Sequence, residues 1–311
     1  MKPIIHVDTL TKRYKQAEVN AVDDISFEVA PGELFALLGP NGAGKTTTIS
    51  ILTTILSPTA GRATIAGHDV ATEASAVRQQ IGIIFQQPSL DLNLSAEENV
   101  RFHAVMYGLY PYRPLYSLMP RAYKQQLMEL SALLGISDEI FKPVKTFSGG
   151  MKRKLEIIRS LIHQPQVLFL DEPTVGLDAT SRRNLWEYIR QVRSDRGTTV
   201  FLTTHYLEEA EGADTVCIIN KGRVVSLGAP DAIKARLTQS YLLLDAHDRP
   251  ALTAELTQRG VPFTEDGGIR IDLADGINAH TLLKSIDTQL KVVKTRTPSL
   301  EDAYLAIVDQ A

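Results

Sequence analysis

The sequence predicts an α/β protein. A mostly parallel core sheet with helices on both faces is preceded by an antiparallel edge sheet, interrupted by a helical subdomain and followed by a small α+β domain. Three observations predict it. Apolar runs at 34–39 (LFALLG), 167–171 (VLFLD), 198–205 (TTVFLTTH) and 215–220 (TVCIIN) alternate with helical segments, the pattern of strands buried on both faces. A glycine-rich loop, GPNGAGKT at 39–46, stands between the first of these runs and a helix. Beyond residue 238 the alternation gives way to strand, helix, hairpin, helix, strand and helix.

Residues 4–29 alternate as short strands, IIHVDTLTKRY and AVDDISFEVA, and PGE at 31–33 turns the chain out of this edge sheet. After LFALLG and the glycine loop, TTTISILTTIL at 46–56 reads as helix. A strand over 81–85, IGIIF, leads through QQPSLDLNLSAEENV into the helix-rich stretch 95–140. Its two helices, AEENVRFHAVMYGL and RAYKQQLMELSALLG, are joined by the connector YPYRPLYSLMP. Five tyrosines fall between 107 and 123, and two readings stand: a partly exposed packing surface or a partner-docking one. The helix MKRKLEIIRSLIH precedes VLFLD; a helix over 179–194, TTVFLTTH, the helix YLEEAEGA, TVCIIN and KGRVV complete the first domain. The second runs YLLLDA, ALTAELTQRG, the hairpin VPFTEDGGIRIDLA with its glycine pair, AHTLLKSI, LKVVKTR and LEDAYLAIV. The expected domains are 1–237, with the helical subdomain over about 87–160, and 238–311.

At 311 residues the chain has room for two compact domains. Apolar residues at 44%, charged residues at 22% and a net charge of −3 leave no polycationic footprint, so nucleic acid is not an expected partner. The one cysteine, Cys217, lies within TVCIIN and reads as a small buried hydrophobe, which leaves no disulfide or zinc cluster. The amino terminus carries no extended apolar h-region, and no apolar run approaches a membrane span. The expected place is the cytoplasmic face of the cell membrane, reached by docking onto something else.

GPNGAGKT fits G-x-x-x-x-G-K-[ST] through Gly39, Gly44, Lys45 and Thr46. Its glycines let backbone N–H groups converge on phosphate, the helix N-terminus adds partial positive charge, Lys45 reaches the outer phosphates and the Thr46 hydroxyl can ligate Mg²⁺. The expected nucleotide-binding run is Gly39, Pro40, Asn41, Gly42, Ala43, Gly44, Lys45, Thr46 and Thr47, with ATP and Mg²⁺ as ligands. VLFLDEP delivers two acids at a strand's carboxyl end, where open α/β sheets keep their ligands. Asp171 is placed for the magnesium shell, and Glu172 for the general base that polarises the attacking water.

A second phosphate-type device follows in FSGGMKRKLE at 147–156. Ser148 has the chemistry of an N-cap, while Gly149 and Gly150 allow close backbone approach at a helix start. On this segment alone a capped helix with a flexible entry is the competing reading. Taken with VLFLDEP twenty residues on, the economical reading is that the second device serves the ATP held by another copy.

GPNGAGKT, FSGGM, VLFLDEP, GLD at 176–178 and TTH at 203–205, in this order, resemble the nucleotide-binding subunit of ABC (ATP-binding cassette) transporters over about residues 4–235. The resemblance implies a P-loop NTPase cassette that pairs head to tail with a second copy, each ATP lying between one P-loop and the other copy's Ser148, Gly149 and Gly150. It further implies that Tyr14 stacks on adenine, that Gln86 touches magnesium and the lytic water, that His205 contacts the γ-phosphate and that Asp178 links the two sites. Gln87 beside Gln86 leaves that register open. Phe147 and Met151 depart from the commonest signature residues without removing Ser148 or the glycines. PSLDLNLSAEENV and TRTPSLEDAYLAIV resemble the exporter branch, which implies a separate transmembrane permease subunit contacted by the helical subdomain, with drug, lipid or polysaccharide as cargo. The alternative is a soluble ABC ATPase acting on ribosomes or nucleic acid, although such relatives carry two cassettes, coiled coils or zinc cysteines.

Overall fold

The structure, a computed structural model, describes residues 2–84, 89–175, 179–237, 241–265, 268–273, 279–296 and 299–310. Two units are present, Met1–Leu227 and Gly228–Ala311. The first begins with β1 (Ile5–Lys12), β2 (Val22–Val29), β3 (Leu34–Leu38), α1 (Lys45–Leu52), β4 (Ala60–Ile65), β5 (His68–Asp69), α2 (Ala74–Gln80) and β6 (Ile81–Ile84). Next come α3 (Ala96–Met106), α4 (Arg121–Leu133), α5 (Gly149–Leu161), β7 (Val167–Asp171), α6 (Ala179–Arg196), β8 (Thr199–Thr204), α7 (Leu207–Glu211), β9 (Thr215–Asn220) and β10 (Arg223–Gly228).

The core sheet has the order β10-β9-β3-β8-β7-β6, and β3–β8, β3–β9, β7–β8 and β6–β7 all pair in parallel. Every residue of β3, β7 and β8 is buried, as continuous apolar runs require when both sheet faces are covered. Lys221 and Gly222, both at positive φ, make the two-residue turn between β9 and β10. A second, four-stranded sheet, β2-β1-β4-β5, pairs antiparallel and turns Ile5, Val7 and Leu10 inward. Four rings join the two sheets. Phe27 of β2 stacks on Phe35 at 5.1 Å, Phe35 on Phe201 at 5.2 Å, and Phe201 meets Phe169 at 5.3 Å. Cys217, fully buried in β9, has its thiol pushed up to about 12 by burial. Sequence reading passed over 57–80, where β4, β5 and α2 are too short and too polar to announce themselves.

The helical region is held by buried polar pairs. Ser95 and Glu98 form a capping box at the start of α3. Buried Arg101 pairs with Glu97 at 2.9 Å and donates through Nη1 to the carbonyls of Arg113 and Pro114, which anchors the connector. The tyrosine cluster divides. Tyr123 is fully buried and donates its hydroxyl to Glu97, Tyr110 packs edge-on against it at 5.6 Å, and Tyr112 lies 57% exposed.

The second unit holds α8 (Pro230–Leu237), β11 (Tyr241–Ala246), α9 (Arg249–Gln258), β12 (Thr264–Glu265), β13 (Ile269–Asp272), α10 (Ala279–Ser285), β14 (Leu290–Arg296) and α11 (Leu300–Gln310). From β11 to β14 the order β-α-β-β-α-β closes an antiparallel sheet, β12-β13-β11-β14, a ferredoxin-like arrangement. Leu242, Leu244, Ile269 and Ile271 pack there with Leu252, Leu256 and Leu282. By contact this unit includes α8, which packs against α11.

Candidate active site

The phosphate loop leaves the carboxyl end of β3, and two of its glycines are dictated by space. A Cβ on Gly39 would lie 2.3 Å from the Ile219 carbonyl oxygen, and one on Gly44, which caps α1 at φ 107°, would lie 2.5 Å from that of Ala21. Lys45, 5% exposed, lies across the loop and donates through Nζ to the carbonyls of Gly39 (2.7 Å) and Pro40 (3.1 Å). Burial lowers its pKa, opposed by the carboxylates of Glu172 and Asp171. Asn41, Gly42, Lys45, Thr46, Thr47 and Glu172 line a cleft of about 360 Å³. A larger groove of about 790 Å³ shares Ala21 and Gly42 with it. Tyr14, just after β1, is 44% exposed, and its hydroxyl stands 3.3 Å from the Thr47 hydroxyl.

Because β8 lies between β3 and β7, the carboxyl ends of three neighbouring strands converge. Asp171 ends β7, is 5% exposed and accepts the Thr203 hydroxyl at 2.5 Å. Burial raises its carboxyl above the usual range, against the pull of that hydroxyl, Lys45 and Arg153. Glu172 follows at φ 46°, in the left-handed region that costs a non-glycine residue roughly 1–2 kcal/mol. Its N–H donates to the Thr203 carbonyl at 3.0 Å, which holds the strained peptide. The Glu172 carboxylate then lies 3.9 Å from Lys45 Nζ and 3.2 Å from His205 Nδ1. His205 follows β8 and stacks on Tyr206 at 4.1 Å.

Ser148 is the N-cap of α5 and accepts from the Met151 N–H at 3.3 Å; a Cβ on Gly149 would meet open space. α5 packs chiefly against α3, α4 and β6, and α1 against β4, β7 and β8, so the two phosphate-type devices stand on different elements. Lys45, Thr46, Asp171, Glu172 and His205 come together; Ser148, Gly149 and Gly150 stand at the start of α5, on an element other than the phosphate loop. Gln86, Gln87 and Asp178 lie outside the described residues.

Sequence reading missed several supporting residues. Thr203 secures Asp171 and Glu172, while Glu209 of α7 accepts the hydroxyls of Thr174 and Thr204. On α5, Glu156 accepts the Ser89 N–H, Arg159 holds the Ser89 carbonyl and hydroxyl, and Arg153 donates to the Pro173 carbonyl. Thr204 and Glu209 are five residues apart, while the other partners are 20 or more apart in the chain.

Among the described residues no group of three or more His, Cys, Asp or Glu could hold a metal ion, and no helix is long and apolar enough to cross a membrane.

Known proteins share this arrangement. A model of the ABC transporter family matches residues 22–175. The daunorubicin resistance ATP-binding protein DrrA3 of Streptomyces coeruleorubidus is 36% identical over 312 residues, spanning 97% of this chain and 94% of its own. The Nod factor export ATP-binding protein I of Paraburkholderia xenovorans is 40% identical over 307 residues, spanning 97% and 96%. A solved ATP-binding subunit of an ABC transporter superimposes with a TM-score of 0.66 at 30% identity, over 75% of this chain and 92% of that one.

Proposed function

The chain belongs to the ABC transporter family, and from that premise we propose that it is the ATP-hydrolysing subunit of an exporter, paired head to tail with a second copy on a separate transmembrane subunit. The observation that carries the catalytic reading is the Glu172 carboxylate held between Lys45 and His205 at a strand end beside the phosphate loop. In this reading the loop N–H groups and Lys45 hold the outer phosphates, His205 donates to the γ-phosphate, and Glu172 accepts the proton of the attacking water. Tyr14 stacks on adenine. Ser148, Gly149 and Gly150 of the second copy close the γ-phosphate side, and Asp178 links the two sites.

The donor set fits magnesium. Thr46 stands in the first turn of α1 and Asp171 is oriented by the Thr203 hydroxyl, giving hard oxygen ligands of the kind Mg²⁺ takes beside substrate phosphates, so no all-protein cage is needed. Gln86 is the third proposed ligand. When bound, the ion would supply positive charge against the charge that develops on the phosphates. The relatives' names, drug resistance and Nod factor export, support export as the direction. They support a place at the cytoplasmic membrane face, with the helical subdomain on the transmembrane partner. Cargo selection belongs to that partner.

The test is Glu172→Gln. Turnover is expected to fall at least ~100-fold, the scale of a lost general base, while an ATP-bound dimer accumulates on size-exclusion chromatography. Unchanged turnover would remove the base assignment.

A further inference from the structure

A second cavity, of about 450 Å³, lies between α6 and α7 and shares only unit-one residues, none of them with the phosphate cleft. Arg182, Trp186, Arg190 and Arg193 recur at spacings of four, four and three, so one face of α6 lines it, with Arg183 beside them and Tyr206, the residue before α7, also in the lining. Arg193 is engaged by the Gly32 carbonyl and Asp214. Arg182, Arg183 and Arg190 form no ion pair among the described residues. Arg182 Nε is buried without a hydrogen-bond partner, and its guanidinium rests over the Tyr206 ring at 5.5 Å. Of the two glutamates in the lining, Glu209 already accepts two threonine hydroxyls, which leaves Glu208 alone against three guanidiniums.

We propose that this cavity is a ligand site for a flat aromatic anion. Planar guanidiniums pair with carboxylate, sulfonate or phosphate oxygens, the Trp186 and Tyr206 rings take the flat apolar body, and the volume suits a small organic molecule. Occupancy reaches the candidate active site by a short path. Tyr206 stacks on His205, and its N–H donates to the Thr204 hydroxyl at 2.9 Å, so a ligand on the Tyr206 ring biases the position of His205. The binding claim is independent of the proposed function; only its effect on hydrolysis rests on that reading.

Trp186 is the chain's one tryptophan, which makes it the reporter. The probe is 1-anilinonaphthalene-8-sulfonate, followed by energy transfer from Trp186 in the full chain, with uncharged N-phenyl-1-naphthylamine as the comparison. The sulfonate should saturate at one per chain, and Arg182→Gln with Arg190→Gln should weaken it at least tenfold. Arg183→Gln alone, on an exposed side chain, should weaken it severalfold and decides the matter if the double variant does not fold. Undiminished sulfonate binding in either folded variant, or equal saturation by the uncharged compound, would overturn the site. Mg-ATP binding, measured separately by equilibrium dialysis, should be the same in these variants and the wild type; its absence from all of them would strike the proposed function and leave the cavity result standing.

Discussion

Removing Glu156 should cost the first unit about as much as truncating a fully buried leucine of α5. Its side chain is 1% exposed, faces Arg153 at 3.1 Å and Arg159 at 4.0 Å, and accepts the Ser89 N–H at 3.0 Å. Burial draws both guanidiniums below the ordinary arginine range, opposed chiefly by this carboxylate. Glu156→Ala leaves two buried cations without it and one backbone donor unsatisfied. Breaking a buried pair costs ~3–5 kcal/mol and an orphaned donor ~1–3 kcal/mol, and the two overlap, so about 4 kcal/mol is expected. The assay is urea denaturation followed by Trp186 fluorescence, which reports on the first unit alone. With a slope of about 2–3 kcal/mol per molar urea, the midpoint should fall by about 1–2 M. Glu156→Gln keeps an acceptor for Ser89 and should lose roughly half as much. A Glu156→Ala midpoint within about 0.3 M of wild type, well inside the extrapolated effect, would refute the pairing.

Two further outcomes are expected. Because burial raises the Asp171 carboxyl, the folded chain holds this proton more tightly than the unfolded one. The stability so gained is complete below the ordinary carboxylate pKa and is lost as pH rises through the raised value. Nucleotide-free Asp171→Asn should therefore melt above wild type at neutral pH, with the gap closing as the solution is acidified; an equal or lower melting temperature at neutral pH would contradict this. Gly39→Ala drives a methyl into the Ile219 backbone carbonyl and should cost about 3 kcal/mol. Gly42→Ala, facing open space at φ 81°, should cost about 1 kcal/mol for its backbone alone, and equal losses on thermal denaturation would show that the loop at Gly39 yields.

What could be read without coordinates was whatever the chemistry placed within a few residues. Gly39 to Thr47 is one contiguous loop and helix start, and Asp171 with Glu172 ends an unbroken apolar strand. Nothing near Glu156 betrays that Ser89, 67 residues earlier, would need its carboxylate, nor does TTH reveal that Thr203 would carry both acids of β7. These are facts of strand order, with β8 seated between β3 and β7, and strand order is not a local property. The packing of α8 was hidden for the same reason: α8 follows directly on the first unit in sequence, and its partner α11 lies some seventy residues ahead. The roles assigned to Gln86 and Asp178 fall on residues outside those described, as does Gln87, which left the register of Gln86 open.

The ladder of Phe27, Phe35, Phe201 and Phe169 has a bearing on ligand length. Tyr14 hangs from the antiparallel sheet and Gly44 from the parallel one, so the two ends of any nucleotide lying between them are borne by different sheets. The stacked rings set the spacing of the two sheets from which those residues extend.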